Sequence, residues 1–198
     1  MATERTWAGD EIPPDSAVIE VRVAQIEQLF HTLDPSPFHD KDLDADAEEY
    51  IVSSAKELGH DKPLALLVHL DRPFVTSEMV EAVRSAVHAY FARQSELTRR
   101  RLRQLFRIGR TSLAIGLVFL TASIAAGDWM GRRVLPQSHI AQVIRESLLI
   151  GGWVAMWRPL EIFLYGWWPI RNERRVYERL SRMPVRIVCS GGVAASTA

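Results

Sequence analysis

An uncharged apolar run from Thr111 to Gly127, TSLAIGLVFLTASIAAG, stands directly behind six arginines in twelve residues: Arg99, Arg100, Arg101, Arg103, Arg107 and Arg110. A helix of about 17 residues is the shortest that crosses a hydrocarbon core. The run meets that length, and Asp128, Trp129 and Met130 extend it into an interface. The competing reading is a buried core helix of a soluble protein. Length and the abrupt charge boundary favour a membrane span instead.

A second apolar stretch, Ser147 to Trp157, follows about twenty residues later. Two registers give it spanning length. Ile140–Trp157 includes Gln142, Arg145 and Glu146; Ser147–Trp168 includes Arg158, Pro159 and Glu161. Charge within a membrane is costly. The first register is preferred, because it holds Arg145 and Glu146 within about two turns of a surface, where they can snorkel or pair. It also sets Pro159 in the first turn of a new helix, where a missing N–H does no harm.

Arginine placement sets the orientation. The six arginines precede the first span, and Arg158, Arg171, Arg174, Arg175, Arg179 and Arg182 follow the second, while the connecting loop has only Arg132 and Arg133. Basic excess marks the cytoplasmic side, so a hairpin with both termini in the cytoplasm is expected. A nucleic-acid-binding helix is the other use of such an arginine block; direct continuity with an apolar span points to lipid, and no nucleic-acid partner is expected. Small residues (Ser112, Gly116, Ser123, Gly127, Gly151, Gly152, Ala155) suit close helix packing in lipid, within the hairpin or between copies.

Charge is segregated between the halves of the chain. Residues 1–98 hold 19 acidic against 8 basic residues, and residues 99–198 hold 5 against 16. This points to two environments. The single cysteine, Cys189, excludes an intrachain disulfide. No cleavable signal peptide is evident in residues 1–16, which are polar and proline-bearing.

The remaining pattern reads as an α/β domain. Ala17–Val23 alternates apolar and charged residues as a half-buried strand does. Ala24–Leu33 reads as a short helix, DPSPF at 34–38 as a turn, and Asp44 or Asp46 starts a helix to about Leu58. Leu64–Leu70 is almost wholly apolar, as a central strand covered on both faces would be. Thr76 or Ser77 caps a helix with a stripe of Val80, Val83, Val87, Tyr90 and Leu97, free of glycine and proline until Gly109, the expected bend. After the spans, Leu160–Trp168 reads as an interfacial helix rich in tryptophan, Asn172–Met183 as a basic helix, and Val185–Ser190 as a last strand.

The resulting expectation is an α+β membrane protein, a two-helix transmembrane hairpin inserted into a small cytoplasmic α/β domain of about three strands. Its parts are a disordered N-terminus (1–16), a cytoplasmic region ending in a long basic helix (17–108), the hairpin (109–157), a segment rejoining the cytoplasmic domain (158–190) and a flexible tail (191–198).

Chemistry-bearing residues are sparse. The run from His39 to Asp46, with Asp40, Asp42, Asp44 and Asp46, superficially suggests a cation loop, but it lacks the turn glycine and the distal Glu. It reads better as a solvated helix start offered to a basic protein partner. His69 and Asp71 end the Leu64–Leu70 strand, a place where open sheets can carry function, yet a structural role is the commoner one. His31, His60 and His88 lack ligand spacing, and Ser190-Gly191-Gly192 lacks the lysine of a phosphate loop. No catalytic residue, cofactor or metal site is inferred.

The segment WRPLEIFLYGWWPI, Trp157 to Ile170, with its neighbouring basic helix and the DPSPF turn, resembles a family of small, functionally unassigned bacterial inner-membrane proteins. The resemblance implies a two-span protein of the bacterial inner membrane and supplies no catalytic residues. The leading expectation is an oligomeric scaffold or docking protein. Arg99, Arg100, Arg101, Arg103, Arg107, Arg110, Trp157, Arg158, Trp167 and Trp168 would anchor it. The alternatives are a subunit of an oligomeric channel or transporter lined by Gln142, Arg145 and Glu146, and a metal-dependent enzyme using the acidic turn.

Overall fold

The computed structural model describes residues 7–30, 42–59, 62–71, 76–133 and 139–189. The turn at 34–38, residues 39–41 with Asp40, His31, His60 and the tail 191–198 lie outside them. The elements in chain order are β1 (Trp7–Gly9), β2 (Ala17–Val23), a 3-10 turn (Ile26–Leu29), α1 (Ala45–Glu57), β3 (Leu64–Leu70) and α2 (Ser77–Arg133). They continue with α3 (His139–Glu161), a π-helical turn (Ile162–Gly166), α4 (Trp168–Leu180) and β4 (Val185–Cys189). The result is a mixed α+β protein with one four-stranded sheet and two helices long and apolar enough to cross a membrane.

The chain divides into two compact units, one formed by Met1–Leu97 with Glu173–Ala198 and the other by Thr98–Asn172. In the first, the sheet order is β1-β4-β3-β2. Strands β2, β3 and β4 run parallel, so each link between them must be a crossover. Helix α1 lies in the first crossover. The second crossover contains the entire Thr98–Asn172 unit.

Strand register explains the core. Ile19, Leu66 and Val185 form one row of neighbours, and Val21, Val68 and Ile187 the next. All six are buried. Ile51, Val52 and Ala55 of α1, Val83, Val87 and Phe91 of α2, and Val176 and Leu180 of α4 join the same core. Asp44 caps α1 by accepting from the Asp46 N–H at 3.1 Å, and Thr76 accepts from the Met79 N–H at 3.3 Å at the start of α2.

Four features of this unit depart from the sequence reading. Strand β1 occupies Trp7–Gly9, inside the segment expected to be disordered, and makes the strands four where three were expected. It pairs antiparallel with β4, whose outer edge would otherwise carry unpaired backbone groups. Gly9 permits this: its φ is +117°, and a Cβ there would stand 2.5 Å from the Val185 carbonyl oxygen. Secondly, β3 is central but only partly covered on one of its faces, where Ala65 is buried while Leu67 and His69 stay half-exposed. Thirdly, the stripe on α2 omits Leu97, which is exposed, and includes Phe91. The expected short helix after β2 is only the single 3-10 turn at Ile26–Leu29.

The second unit is a helical hairpin. Buried or half-buried positions on α2 recur at Thr98, Leu102, Leu105, Gly109, Ser112, Gly116, Leu120, Ser123 and Gly127, at steps of three or four. That spacing keeps one face of α2 against α3, which runs back antiparallel to it. The facing residues are Phe163 and Ile162 opposite Gly109, Ala155 and Met156 opposite Gly116, Leu120 opposite Gly152, and Arg145 opposite Gly127. Gly109, the expected bend, faces the π-helical turn that follows α3. It lies within α2, where a Cβ would come 2.9 Å from Ile162 Cγ2.

Pro159 also departs from expectation. It sits inside α3, which continues to Glu161, rather than in the first turn of a new helix. The segment expected as a separate interfacial helix, Leu160–Trp168, is the end of α3, a π-helical turn and the start of α4. A proline cannot donate to the carbonyl four residues back. The π-helical turn loosens the next backbone bonds. Trp167 compensates there, its indole N–H donating to the Phe163 carbonyl at 2.9 Å.

Candidate functional site

The hairpin surface is the most unusual chemistry in the molecule. Only 17% of the residues in either apolar stretch are buried. Val118 is 70% exposed, Ile150 64% and Val154 67%, and Ile115, Leu117, Phe119, Trp153 and Trp157 accompany them. Soluble monomers rarely expose a contiguous apolar surface larger than a few hundred Å². Within the apolar run, small residues such as Ser112, Gly116, Ser123 and Gly127 hold much of the seam, and Val118, Ile150 and Val154 face outward. A core helix of a soluble domain would show the reverse.

The arginines expected to anchor the hairpin are gathered on its N-terminal flank. Arg99, Arg100, Arg101, Arg103, Arg107 and Arg110 are all exposed on α2. On the returning strand of the hairpin, Arg158 pairs with Glu161 at 3.0 Å across one turn, and the Arg171 guanidinium lies 5.5 Å from the Trp167 ring centre. Trp157 and Trp168 are exposed, while Trp167 is half-buried through its bond to Phe163. Trp153 is equally exposed and was not singled out by sequence; its position on the outer face of α3 marks it.

The polar residues considered as a pore lining sit in the first two turns of α3. Arg145 reaches back to Asp128 of α2 at 3.3 Å, and Gln142 donates to Glu146 at 3.2 Å. Arg145 thus finds its counter-ion across the hairpin, not at the adjacent Glu146. Gly127 makes room for it, since a Cβ there would be 3.1 Å from Arg145 Cγ.

The acidic residues considered for partner binding divide by role. Asp42 pairs with Arg93 at 2.7 Å, Asp44 caps α1, and Asp46 stays exposed in the first turn of that helix. Asp40 lies outside the described residues. Among the described residues no group of three His, Cys, Asp or Glu side chains is placed to hold a metal ion.

Sequence reasoning missed the polar contacts that bind the first unit together. Asp10 accepts from Arg84 at 2.7 Å and from the Val185 N–H at 3.2 Å. Burial would raise its carboxyl, but the Val185 N–H and the Arg84 guanidinium outweigh that and hold it below the usual carboxylate value. Tyr90 donates to Glu48 at 2.6 Å; burial, then the Glu48 carboxylate, pushes the phenol well above its ordinary range. Tyr177 adds a longer bond to Glu48 at 3.4 Å. Arg179 donates to the carbonyls of Gly59 and Lys62 at 2.7 and 2.6 Å, which fastens α4 to the loop before β3. Burial raises the Cys189 thiol.

The partly covered face of the sheet forms a groove of about 420 Å³ between Trp7, Ser16, Glu20, Leu67, His69 and Arg186. Arg186 stacks on the Trp7 ring at 4.3 Å. Two polar atoms there, Ser16 Oγ and His69 Nε2, are buried without a hydrogen bond, although His69 Nε2 lies 3.4 Å from Glu20 Oε2. His69 is thus a groove residue whose ring faces the Glu20 carboxylate.

No family, no curated protein and no solved structure matches this chain. The functional reading therefore rests on the chemistry of the surfaces just described.

Proposed function

We propose that this is a membrane-anchored scaffold or docking protein of the bacterial inner membrane. The hairpin of α2 and α3 crosses the bilayer, and the sheet domain is held at the cytoplasmic face. One observation carries the reading: the hairpin turns its large apolar side chains outward along its length while its exposed arginines collect at the end nearest the sheet domain in sequence. Lipid is the surrounding in which such a surface is stable, and the arginine asymmetry sets its orientation. Kinship with small two-span inner-membrane proteins belongs to the same proposal, as does assembly into homo-oligomers. The exposed carboxylates of α1, Asp46 and Glu49, would face a basic cytoplasmic protein and be repelled by anionic lipid.

The polar residues at the start of α3 support a surface location more than a pore, because Arg145 and Asp128 neutralise one another beside the connecting loop. A pore subunit remains the second outcome of conductance measurements on reconstituted vesicles. The acidic turn as a metal-dependent enzyme site loses support, because Asp42 and Asp44 are engaged in an ion pair and a helix cap.

Membrane extraction and cysteine mapping test the proposal. On a Cys189→Ser background, Glu78→Cys places a probe on the sheet unit and His139→Cys one at the start of α3, after the loop that joins the two apolar helices, both at exposed positions. The protein should resist alkaline extraction. An impermeant maleimide added to spheroplasts should label His139→Cys and spare Glu78→Cys until the cells are lysed. A stable, detergent-free monomer, or labelling of both probes from outside, would sink the reading.

A further inference from the structure

We infer that the arginine face of α2 is a binding site for the phosphodiester headgroup of an anionic phospholipid. The inference rests on the membrane reading above and goes beyond anchoring, because it assigns a built site to particular side chains. Arg100, Arg103, Arg107 and Arg110 follow one another at steps of three, four and three, so they share one side of the helix. They line an open cleft of about 830 Å³. Its apolar wall is made by Phe106 and Phe163, whose ring centres are 6.2 Å apart across the hairpin seam.

Charge and position select the ligand. Among the described residues no carboxylate pairs with Arg103, Arg107 or Arg110. Several guanidinium forks around one cleft suit phosphate, which accepts two parallel N–H bonds from each fork. Free inorganic phosphate offers the same oxygens but has no use for the aromatic wall. A phospholipid uses both, its phosphate against the arginines and its glycerol and upper acyl carbons against Phe106 and Phe163. The cleft also lies immediately before the apolar span beginning at Thr111, which is the depth at which headgroups occur. Basic pockets of this kind at the cytoplasmic end of transmembrane helices are suited to anionic headgroups.

The test uses the full-length protein, delipidated in neutral detergent and titrated with phosphatidylglycerol, phosphatidylcholine or inorganic phosphate. Binding is read by native mass spectrometry and by thermal stabilisation. Phosphatidylglycerol should bind and stabilise, and the other two should not. Arg103→Gln/Arg107→Gln should weaken phosphatidylglycerol binding by roughly fivefold for each guanidinium removed. Arg175→Gln/Arg182→Gln, which removes equal charge elsewhere, should leave it unchanged. Arg103→Lys/Arg107→Lys keeps the charge that sets orientation and loses the fork, so it should still bind several-fold more weakly than the wild type.

Equal phosphatidylglycerol binding by the wild type and both Arg103/Arg107 variants would overturn the site. So would equal stabilisation by inorganic phosphate, which would make it a free-anion site. Neither result bears on whether the hairpin spans a membrane, which extraction and cysteine mapping decide separately.

Discussion

Gly116 of α2 lies against the carbonyl oxygen of Ala155, the one acceptor in α3 that Pro159 leaves without a helical N–H. A Cβ added to Gly116 would stand 3.1 Å from that oxygen and equally close to Met156 Sδ. Glycine therefore leaves room for α2 to pack closely against this carbonyl. Gly116 and Pro159 thus bear on the same carbonyl, one by close approach and the other by withholding the N–H four residues on.

Adjacent glycines in α3 should respond oppositely to the same substitution. A Cβ on Gly152 would come 2.5 Å from Leu120 Cδ1 and 3.3 Å from Leu120 Cα, whereas one on Gly151 would meet nothing within 4 Å. Gly152→Ala should destabilise the hairpin by about 1–3 kcal/mol through overpacking. Gly151→Ala should be neutral or slightly stabilising, since alanine is the better helix former. Thermal unfolding in detergent distinguishes them, and equal effects would refute the described packing.

Acid should weaken the link between α2 and the β4 end of the sheet. The Asp10 carboxyl is held below its ordinary value of 3.8 in the folded protein. Its contribution is therefore present above that value and is lost as pH falls through the lower folded-state value. Asp10→Asn should cost about 1 kcal/mol at neutral pH, and the gap to wild type should narrow as the pH falls below the ordinary carboxyl value of 3.8. Parallel melts across that interval check the sign.

Tyr90→Phe should cost about 1.5 kcal/mol, because it withdraws a donor from the partly buried Glu48 carboxylate. The loss should largely vanish on a Glu48→Gln background, where the charge no longer needs it. A double-mutant cycle gives the coupling; independent, additive effects would contradict the contact.

Arg179→Ala should loosen the loop ahead of β3, since two carbonyls, Gly59 and Lys62, lose their shared donor. A destabilisation of about 1–3 kcal/mol is expected, with faster amide exchange at Leu64 than in the wild type. Arg179→Lys should recover only part of it, because one ammonium does not reproduce the planar fork.

Strands with self-evident periodicity were legible in the chain: Ile19, Val21 and Val23 alternate, and Val185–Cys189 follows a proline stop. The first apolar helix was plain from length and charge boundary, whereas the second admitted two registers because charged residues flank Ser147–Trp157 on both sides. Trp7–Gly9 was not, because a three-residue strand has too little pattern to read and exists through the free edge of β4. Leu67 and His69 looked like core because an apolar run does not reveal which side of a sheet is left partly uncovered. Pro159 misled for a similar reason. Local rules forbid it mid-helix, and Gly116, which packs against the same carbonyl, lies more than forty residues away in sequence. The arginine side of α2 was visible in the sequence, whereas its cleft needs Phe163, which only the returning helix supplies.

Placing the hairpin unit within the crossover between β3 and β4 has a biosynthetic consequence. Strand β3 is finished early, yet its neighbour β4 emerges only after residues 71–184 have been made. Until then β3 has no β4 beside it, an aggregation-prone condition that a ribosome-bound chain must survive. Closing so long a loop is entropically unfavourable unless the intervening helices fold back on each other and bring the ends together. Sheet completion thereby becomes a quality test of hairpin assembly: a chain whose helices fail to pair presents an unfinished sheet to the cell's proteases.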